Sequence, residues 1–311
     1  MSAVTVIYVA YHTPLAMIMD SIESVERAAE VAGADVEILV ADNGGAAQHA
    51  DALSGRAAVV GAGRNVGFGD AVNDCVQMSS GEWVLMMNPD SRARPELLES
   101  LLRHARPSTR TFFGSLLITN GRAQVHAFNL WWSSLELLAR KASFSRRLDE
   151  WIETSIPVPV PRLCGAGLFG RRADLLEVGP FDASFFLYGE DVDFSLRARA
   201  RGYDLILVPT AVIDHDAGTS SEGASELVQA ARTDAHLRLL AHHRPLPFAL
   251  VARLEYTIST AAGVLTNLLR GQVWRARAAR FPEIRRWGVQ REAPRFDPVE
   301  WASRSARKRT P

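Results

Sequence analysis

"VTVIYVAYHTPLAMIMDSIESVERAAEVAGADVEILVAD", residues 4–42, reads as strand, helix and strand, and that reading decides the fold. Residues 4–11 form an apolar, β-branched run suited to a strand buried on both faces. Thr13 and Pro14 read as N-cap and first helical residue, and Leu15, Ile18, Ile22, Val25 and Ala29 keep a helical spacing until Gly33 closes the helix. "VEILVAD" (36–42) is the returning strand. Working outward, "AAVVGAG" (57–63) is a third short strand, "DAVNDCVQM" (70–78) a helix and "EWVLMMN" (82–88) a fourth strand. Strands alternating with helices imply an α/β fold with a mostly parallel sheet and right-handed crossovers. Such sheets bind ligands beyond the carboxyl ends of their strands.

Asp42 ends the second strand and Asn88-Pro89-Asp90 end the fourth, so both carboxylates emerge along one edge. Pro89 holds Asn88 extended and fixes its own φ, which aims Asp90 reproducibly. A rigid carboxylate at the mouth of an α/β sheet suits a hard cation carrying a phosphate. As a bare tripeptide, Asn-Pro-Asp is also a plain turn. Between the third strand and the next helix, "GAGRNVGFGDAVND" (61–74) spaces Gly61, Gly63 and Gly67 as G-x-G-x-x-x-G. That is one residue longer than the dinucleotide fingerprint and follows the third strand instead of the first. No acid ends the next strand as a ribose partner, which counts against a dinucleotide-dependent oxidoreductase. The glycines still let backbone approach another nucleotide or a sugar.

The densest stretch is "RLCGAGLFGRRADLLEVGPFDASFFLYGEDVDFSLRARARGYDLILVP" (162–209). Phe181, Phe185, Phe186 and Tyr188 are read as surrounding an acidic knot, Glu190, Asp191 and Asp193, which opens a helix. The macrodipole and an i,i+4 pair with Arg197 account for Asp193. An aromatic-lined turn before Glu190 and Asp191 desolvates a carboxylate and readies it as a base. Downstream, "LILVPTAVIDHDAGTSS" (205–221) places His215 between two acids. A lone His is more often structural, and it is also the commonest metal ligand.

These segments carry a resemblance. The ordered series "VADNGG", "RNVGFGDAVN", "MNPDSR", "GAGLFGRR", "GPFDASFFLYGEDVDFSLRARARGY" and "HDAGTS" resembles the inverting, nucleotide-sugar-dependent glycosyltransferases of family 2, bacterial rhamnosyltransferase-like members in particular, over residues 3–220. The resemblance implies a single-domain GT-A-type fold followed by C-terminal helices. Residues 1–222 would be the catalytic domain, with a nucleotide-binding half (1–95) and an acceptor-binding half (96–222). It also implies roles. Asp42 would accept a hydrogen bond from a pyrimidine base with Tyr11 near the ring, and Arg64, Asn65, Gly67 and Asn88 would support the nucleotide. Asp90 would hold Mg²⁺ or Mn²⁺ against the diphosphate, with His215 reaching the same metal. Asp191 would be the general base, with Glu190 and Tyr188 placing donor or acceptor sugar. Gly165, Ala166 and Gly167 would let the backbone come close to the donor sugar. The donor would be a dTDP- or UDP-linked sugar, rhamnose foremost, and the acceptor a glycan or lipid-linked glycan of the cell envelope. Two departures stand out: Ala10-Tyr11-His12 replaces the usual Thr-Tyr-Asn, and Gly179-Pro180 replaces a pair of glycines. A non-catalytic relative that binds nucleotide sugar or glycan is the alternative, and intact Asp90, Glu190 and Asp191 argue against it.

Composition sets the remaining bounds. With 311 residues and 47% hydrophobic content, the chain can bury a large core. Cys75 and Cys164 give neither a disulfide framework nor a metal cluster, which points to the reducing cytosol. Met1–Ala10 lacks a basic leader, and no uncharged apolar run reaches the ~18 residues of a spanning helix. The zero net charge hides an asymmetry: residues 270–311 hold 12 Arg or Lys against 4 acids. Residues 223–290 read as helical. Within them "YTISTAAGVLTNLL" (256–269) is followed by Trp274, Phe281 and Trp287 among arginines. That pattern suits a helix in the interface of an anionic membrane, giving a cytoplasmic protein peripheral to the inner face of the plasma membrane. Helices packed on the catalytic domain with a solvated basic face are the other reading. No nucleic-acid-binding motif accompanies the charge. Residues 291–311 read as a basic, flexible tail.

Overall fold

The computed structural model describes residues 4–61, 63–179, 181–215, 226–272 and 274–307. The expected motif residues Asp216–Ser220, and Pro180, lie outside the described residues. The chain divides into two compact units: Met1–Leu130 with Ala142–Asp182 and Asp191–Ala217, and Trp131–Lys141 with Ala183–Glu190 and Gly218–Pro311.

In chain order the strands are β1 (Val4–Ala10), β2 (Val36–Asp42), β3 (Ala58–Val60), β4 (Trp83–Met87), β5 (Ser91–Ala93), β6 (Thr111–Thr119), β7 (Arg122–Ala123), β8 (Val158–Pro159), β9 (Leu168–Arg171) and β10 (Asp204–His215). The helices are α1 (Leu15–Ala32), α2 (Ala50–Leu53), α3 (Phe68–Met78), α4 (Leu97–Ala105), α5 (Ser134–Thr154), α6 (Arg172–Val178), α7 (Glu190–Ala200), α8 (Glu226–His243), α9 (Leu246–Leu269), α10 (Arg275–Ala278), α11 (Arg280–Trp287) and α12 (Pro298–Arg307).

The first unit is built on one sheet, ordered β3-β2-β1-β4-β9-β6-β10-β5, with β7 beside β6 and β8 beside β10. β1 runs parallel to β2 and β4, and β10 parallel to β6. β9 is antiparallel to β4 and β6, and β5 antiparallel to β10. All five β4 residues are buried, as the continuous apolar run requires of a central strand. α1 buries Ile18, Ile22, Val25 and Ala29 of the stripe read from the sequence, while Leu15 at its start is half-buried. Its start differs: Pro14, at ψ 140°, is the N-cap, and its carbonyl accepts from Met17 and Ile18 N–H. Proline can take either place, because neither requires its missing N–H. Gly33 ends the helix at φ 56° as expected.

The second unit is helical and carries a buried polar centre. Asp234 accepts from Trp287 Nε1 (2.7 Å), Arg238 Nη2 (3.3 Å) and Arg286. Residues 291–307, expected to be part of a flexible tail, contribute to this unit's packing. Phe296 is buried against Phe186, Ala230 and Ala231, and α12 follows it. One aromatic anchor outweighs the polar composition around it.

Candidate active site

The carboxyl edge of the sheet brings Asp42 and Asp90 out together. β2 and β4 both run parallel to β1, so Asp42 and the Asn88–Asp90 turn leave the sheet on the same side.

Asp42 is buried and heavily engaged. Its Oδ1 accepts from Gly44 N (3.0 Å) and Ala46 N (2.8 Å), and its Oδ2 from Ala47 N (3.0 Å). A Cβ on Gly63 would stand 3.4 Å from that Oδ2, at a φ of 70° that itself favours glycine. The adjoining loop is tied by amides: Asn65 Oδ1 accepts from Asn43 Nδ2 (3.1 Å) and Gly67 N (3.1 Å), while Asn43 Oδ1 accepts from Val66 N (2.7 Å). Asn65 therefore shapes the Gly-rich loop, and Arg64 and Tyr11 remain exposed. The Tyr11 ring lies where a side chain on Gly44 would go.

Asp90 and His215 are brought together by strand pairing. β5 begins one residue after Asp90 and pairs with β10 so that Ser91 faces His215. His215 Nε2 is then 3.4 Å from Asp90 Oδ1 and 3.3 Å from Asn88 Nδ2, with both His215 and Asp90 side chains mostly buried. Residues separated by more than a hundred positions thus form one cluster.

Asp191 occupies the first turn of α7. Its Oδ2 accepts from Arg162 Nη2 (2.9 Å) and Gly165 N (3.2 Å), and its backbone carbonyl accepts from Ser195 Oγ (2.7 Å). The Gly165–Gly167 turn packs on β4. A Cβ on Gly165 would meet the Phe68 ring at 3.1 Å, and one on Gly167 would meet Leu117 at 3.1 Å and Ser115 at 3.2 Å. These glycines let the turn seat against its own neighbours and bring its N–H to Asp191. Asn73 holds the preceding segment by a reciprocal pair with the Phe181 backbone, at 2.9 and 2.8 Å.

Glu190 and Tyr188 fall in the second unit. Glu190 is buried at the start of α7. Tyr188, at φ 67°, stacks under the Arg232 guanidinium at 4.6 Å. The expected aromatic enclosure of the acidic knot is divided. Phe181 packs on Phe68 and Phe194 in the first unit, whereas Phe185 faces His242 and Phe186 faces Phe296 in the second. Cys75 supplies no nucleophile, because burial pushes its thiol up to about 12. The open hollow of 490 Å³ lined by Gly33, Asp35 and Arg56 is at the other end of β2, away from these acids.

The profile of Glycosyl transferase family 2 matches residues 5–160, and that of Glycosyl transferase family group 2 matches residues 83–254. In two strains of Mycobacterium tuberculosis, the N-acetylglucosaminyl-diphospho-decaprenol L-rhamnosyltransferase is 30% identical over 218 residues, covering 62% of this chain and 71% of the relative. The chain belongs to glycosyltransferase family 2. A solved structure of GalNAc-T7 with UDP, GalNAc and Mn²⁺ superposes with a TM-score of 0.59 at 16% identity. The match covers 77% of this chain and 47% of that one, so the glycosyltransferase spans about half the length of that neighbour, and the likeness establishes a GT-A fold.

Within this glycosyltransferase, the sequence reading put Asp90 and His215 on one metal, and the structure places both beside Asn88 and sets Asp191 against Gly165. The sequence reading passed over Arg162, Asn43, Phe68 and Ser195, which hold those groups. Arg162 lies 29 positions from Asp191, and no local pattern marks so distant a partner.

Proposed function

We propose that this glycosyltransferase moves rhamnose from a dTDP- or UDP-linked donor to a lipid-linked or glycan acceptor of the cell envelope, by a single inverting displacement. The relatives' name supports the sugar and the lipid-diphosphate class of acceptor. One observation carries the chemistry: Asp90 paired with His215, and Asp191 held against a turn that packs on β4.

The residues fit a divalent cation. Asp90 Oδ1 and His215 Nε2 stand 3.4 Å apart, near the ~3 Å between two ligands of one ion with ~2.1 Å bonds at right angles. An unprotonated Nε2 has a single lone pair, which it would give either to the Asn88 amide or to a cation shared with the Asp90 carboxylate. A carboxylate with an imidazole suits Mn²⁺, and a carboxylate with water suits Mg²⁺. Bound there, the ion supplies charge neutralisation to a departing diphosphate.

The chain's own groups do the rest. An acceptor hydroxyl is a poor nucleophile until its proton is taken during attack, and Asp191 is the carboxylate for that task. Arg162 and the Gly165 N–H fix Oδ2, which leaves Oδ1 to face the hydroxyl. Ser195 steadies the helix turn that carries it. The Asn43–Asn65 lock holds the Gly-rich loop in one shape for the nucleotide.

The test is transfer from dTDP-rhamnose and UDP-sugars to a prenyl-diphosphate-linked N-acetylglucosamine, with the product anomer read by NMR. The expected product carries one added rhamnose of configuration opposite to the donor. A product that keeps the donor's configuration overturns single displacement, and absence of transfer from every pyrimidine-diphosphate sugar overturns the donor class.

A further inference from the structure

α9 has two unlike faces. On one, Arg253 is buried and donates to Gly288 O (3.0 Å) and Gln290 O (2.7 Å), and the Arg277 side chain lies where a side chain on Gly263 would go. On the other, Phe248, Val251, Leu254, Ile258, Leu265 and Leu269 follow one another at helical spacing, with exposures from 46% at Phe248 to 79% at Leu269. The other exposed positions between Phe248 and Leu269 are Ala261, Ala262, Thr266 and Leu268, none of them charged. At 1.5 Å per residue the stripe runs for roughly 30 Å. Exposed Leu135 and Leu138 of α5 extend it sideways, since Ser134 bonds to Glu255 (3.1 Å) and Ser259 (3.3 Å) on α9. Single exposed apolar residues are ordinary, but a contiguous stripe of this length marks a contact surface.

Charge identifies the partner. Exposed Arg270, Trp274 and Arg275 follow the end of α9, and exposed Lys141 lies beyond Leu138. We infer that this face of the helical unit seats on an anionic phospholipid bilayer, with α9 lying along the interface. By length and composition α9 could also cross a membrane. The opposite face argues against that, because burying Arg253 in lipid would strip it of the carbonyls of Leu237, Gly288 and Gln290 that it now serves. A helix with one face fixed to protein and the other apolar, ended by arginine and tryptophan, is suited to lie in the headgroup boundary. The inference rests on exposure and charge and is independent of the donor and acceptor proposed above.

Flotation of the full chain with phosphatidylcholine vesicles, with and without phosphatidylglycerol, tests it without reference to turnover. The chain is expected to float with the anionic vesicles and to remain below with the neutral ones. Ile258→Asp with Leu265→Asp should lower the bound fraction at least about tenfold. Arg270→Gln with Arg275→Gln should lower it several-fold, as should added salt. Thermal melts that match the parent chain confirm folding. As a second readout, a Leu265→Cys chain carrying an environment-sensitive dye should shift to the blue on anionic vesicles. Equal recovery with neutral vesicles, no flotation, or an unchanged dye spectrum overturns the inference. So does a concentration-dependent dimer that Ile258→Asp dissolves in a chain that does not float, because the face would then belong to a second copy.

Discussion

Buried acids in the two units behave differently. In the helical unit, Asp234 is 2% exposed and takes hydrogen bonds from Arg238, Arg286 and Trp287. In the α/β unit, Asp191 is 12% exposed and both of its partners grip the same oxygen. Asp90 faces a histidine that an amide also claims. A saturated buried carboxylate is scaffolding, while one that keeps an oxygen toward a sheet edge has capacity for a reacting group. Engagement therefore distinguishes Asp191, the proposed base, from Asp234, and Asp42 with its three backbone N–H partners sides with Asp234 in this respect.

The sharpest way to break this contrast is to neutralise one acid from each side. Asp191→Asn should lower kcat by about a thousandfold while leaving the affinity for a pyrimidine diphosphate within about twofold, measured by steady-state kinetics and calorimetry. Turnover above a tenth of the parent value would remove Asp191 as the base. Asp234→Ala should do the reverse, costing about 3–5 kcal/mol of stability in urea unfolding, because two arginines lose their partner, with kcat of the folded protein unchanged. A stable but inactive Asp234→Ala chain would collapse the distinction. Asn65→Ala removes two loop hydrogen bonds at about 1 kcal/mol each and should raise the donor KM several-fold with little change in kcat.

The smallest effect concerns His236 of the helical unit. Burial, with Arg280 and Arg253 nearby, lowers its pKa from 6.5 to about 4. The unfolded chain therefore takes up the proton first on acidification. Stability is full above pH 6.5 and declines as the pH falls from there toward 4. His236→Gln should flatten that decline in urea titrations, and an unchanged slope would assign it to other groups.

Much of the fold was legible because it rests on local patterns. β1, α1, β2, α3 and β4 announce themselves by apolar runs, helical spacing and glycine stops. The places of Asp42 at a strand end, Asp90 just beyond one and Asp191 at a helix start were legible because such ends are visible along the chain. What held them was not. Arg162, Asn43 and Phe68 act across loops, and the pairing of β5 with β10 that aligns His215 with Asp90 is a tertiary event. Pro14 could serve as N-cap or first helical residue by sequence alone. The 291–307 segment reads as polar because composition averages over Phe296, whose single ring decides its packing.

The central claim is that Asp90 and His215 form a cation-dependent site for a nucleoside diphosphate. Calorimetric titration of dTDP and UDP, with Mn²⁺ and then with a chelator, tests it most directly. The account predicts at least about tenfold tighter binding with metal in the parent chain, and coincident affinities in Asp90→Ala. Equal affinity with and without metal in the parent chain, or an Asp90→Ala chain that keeps the full metal effect, would contradict it.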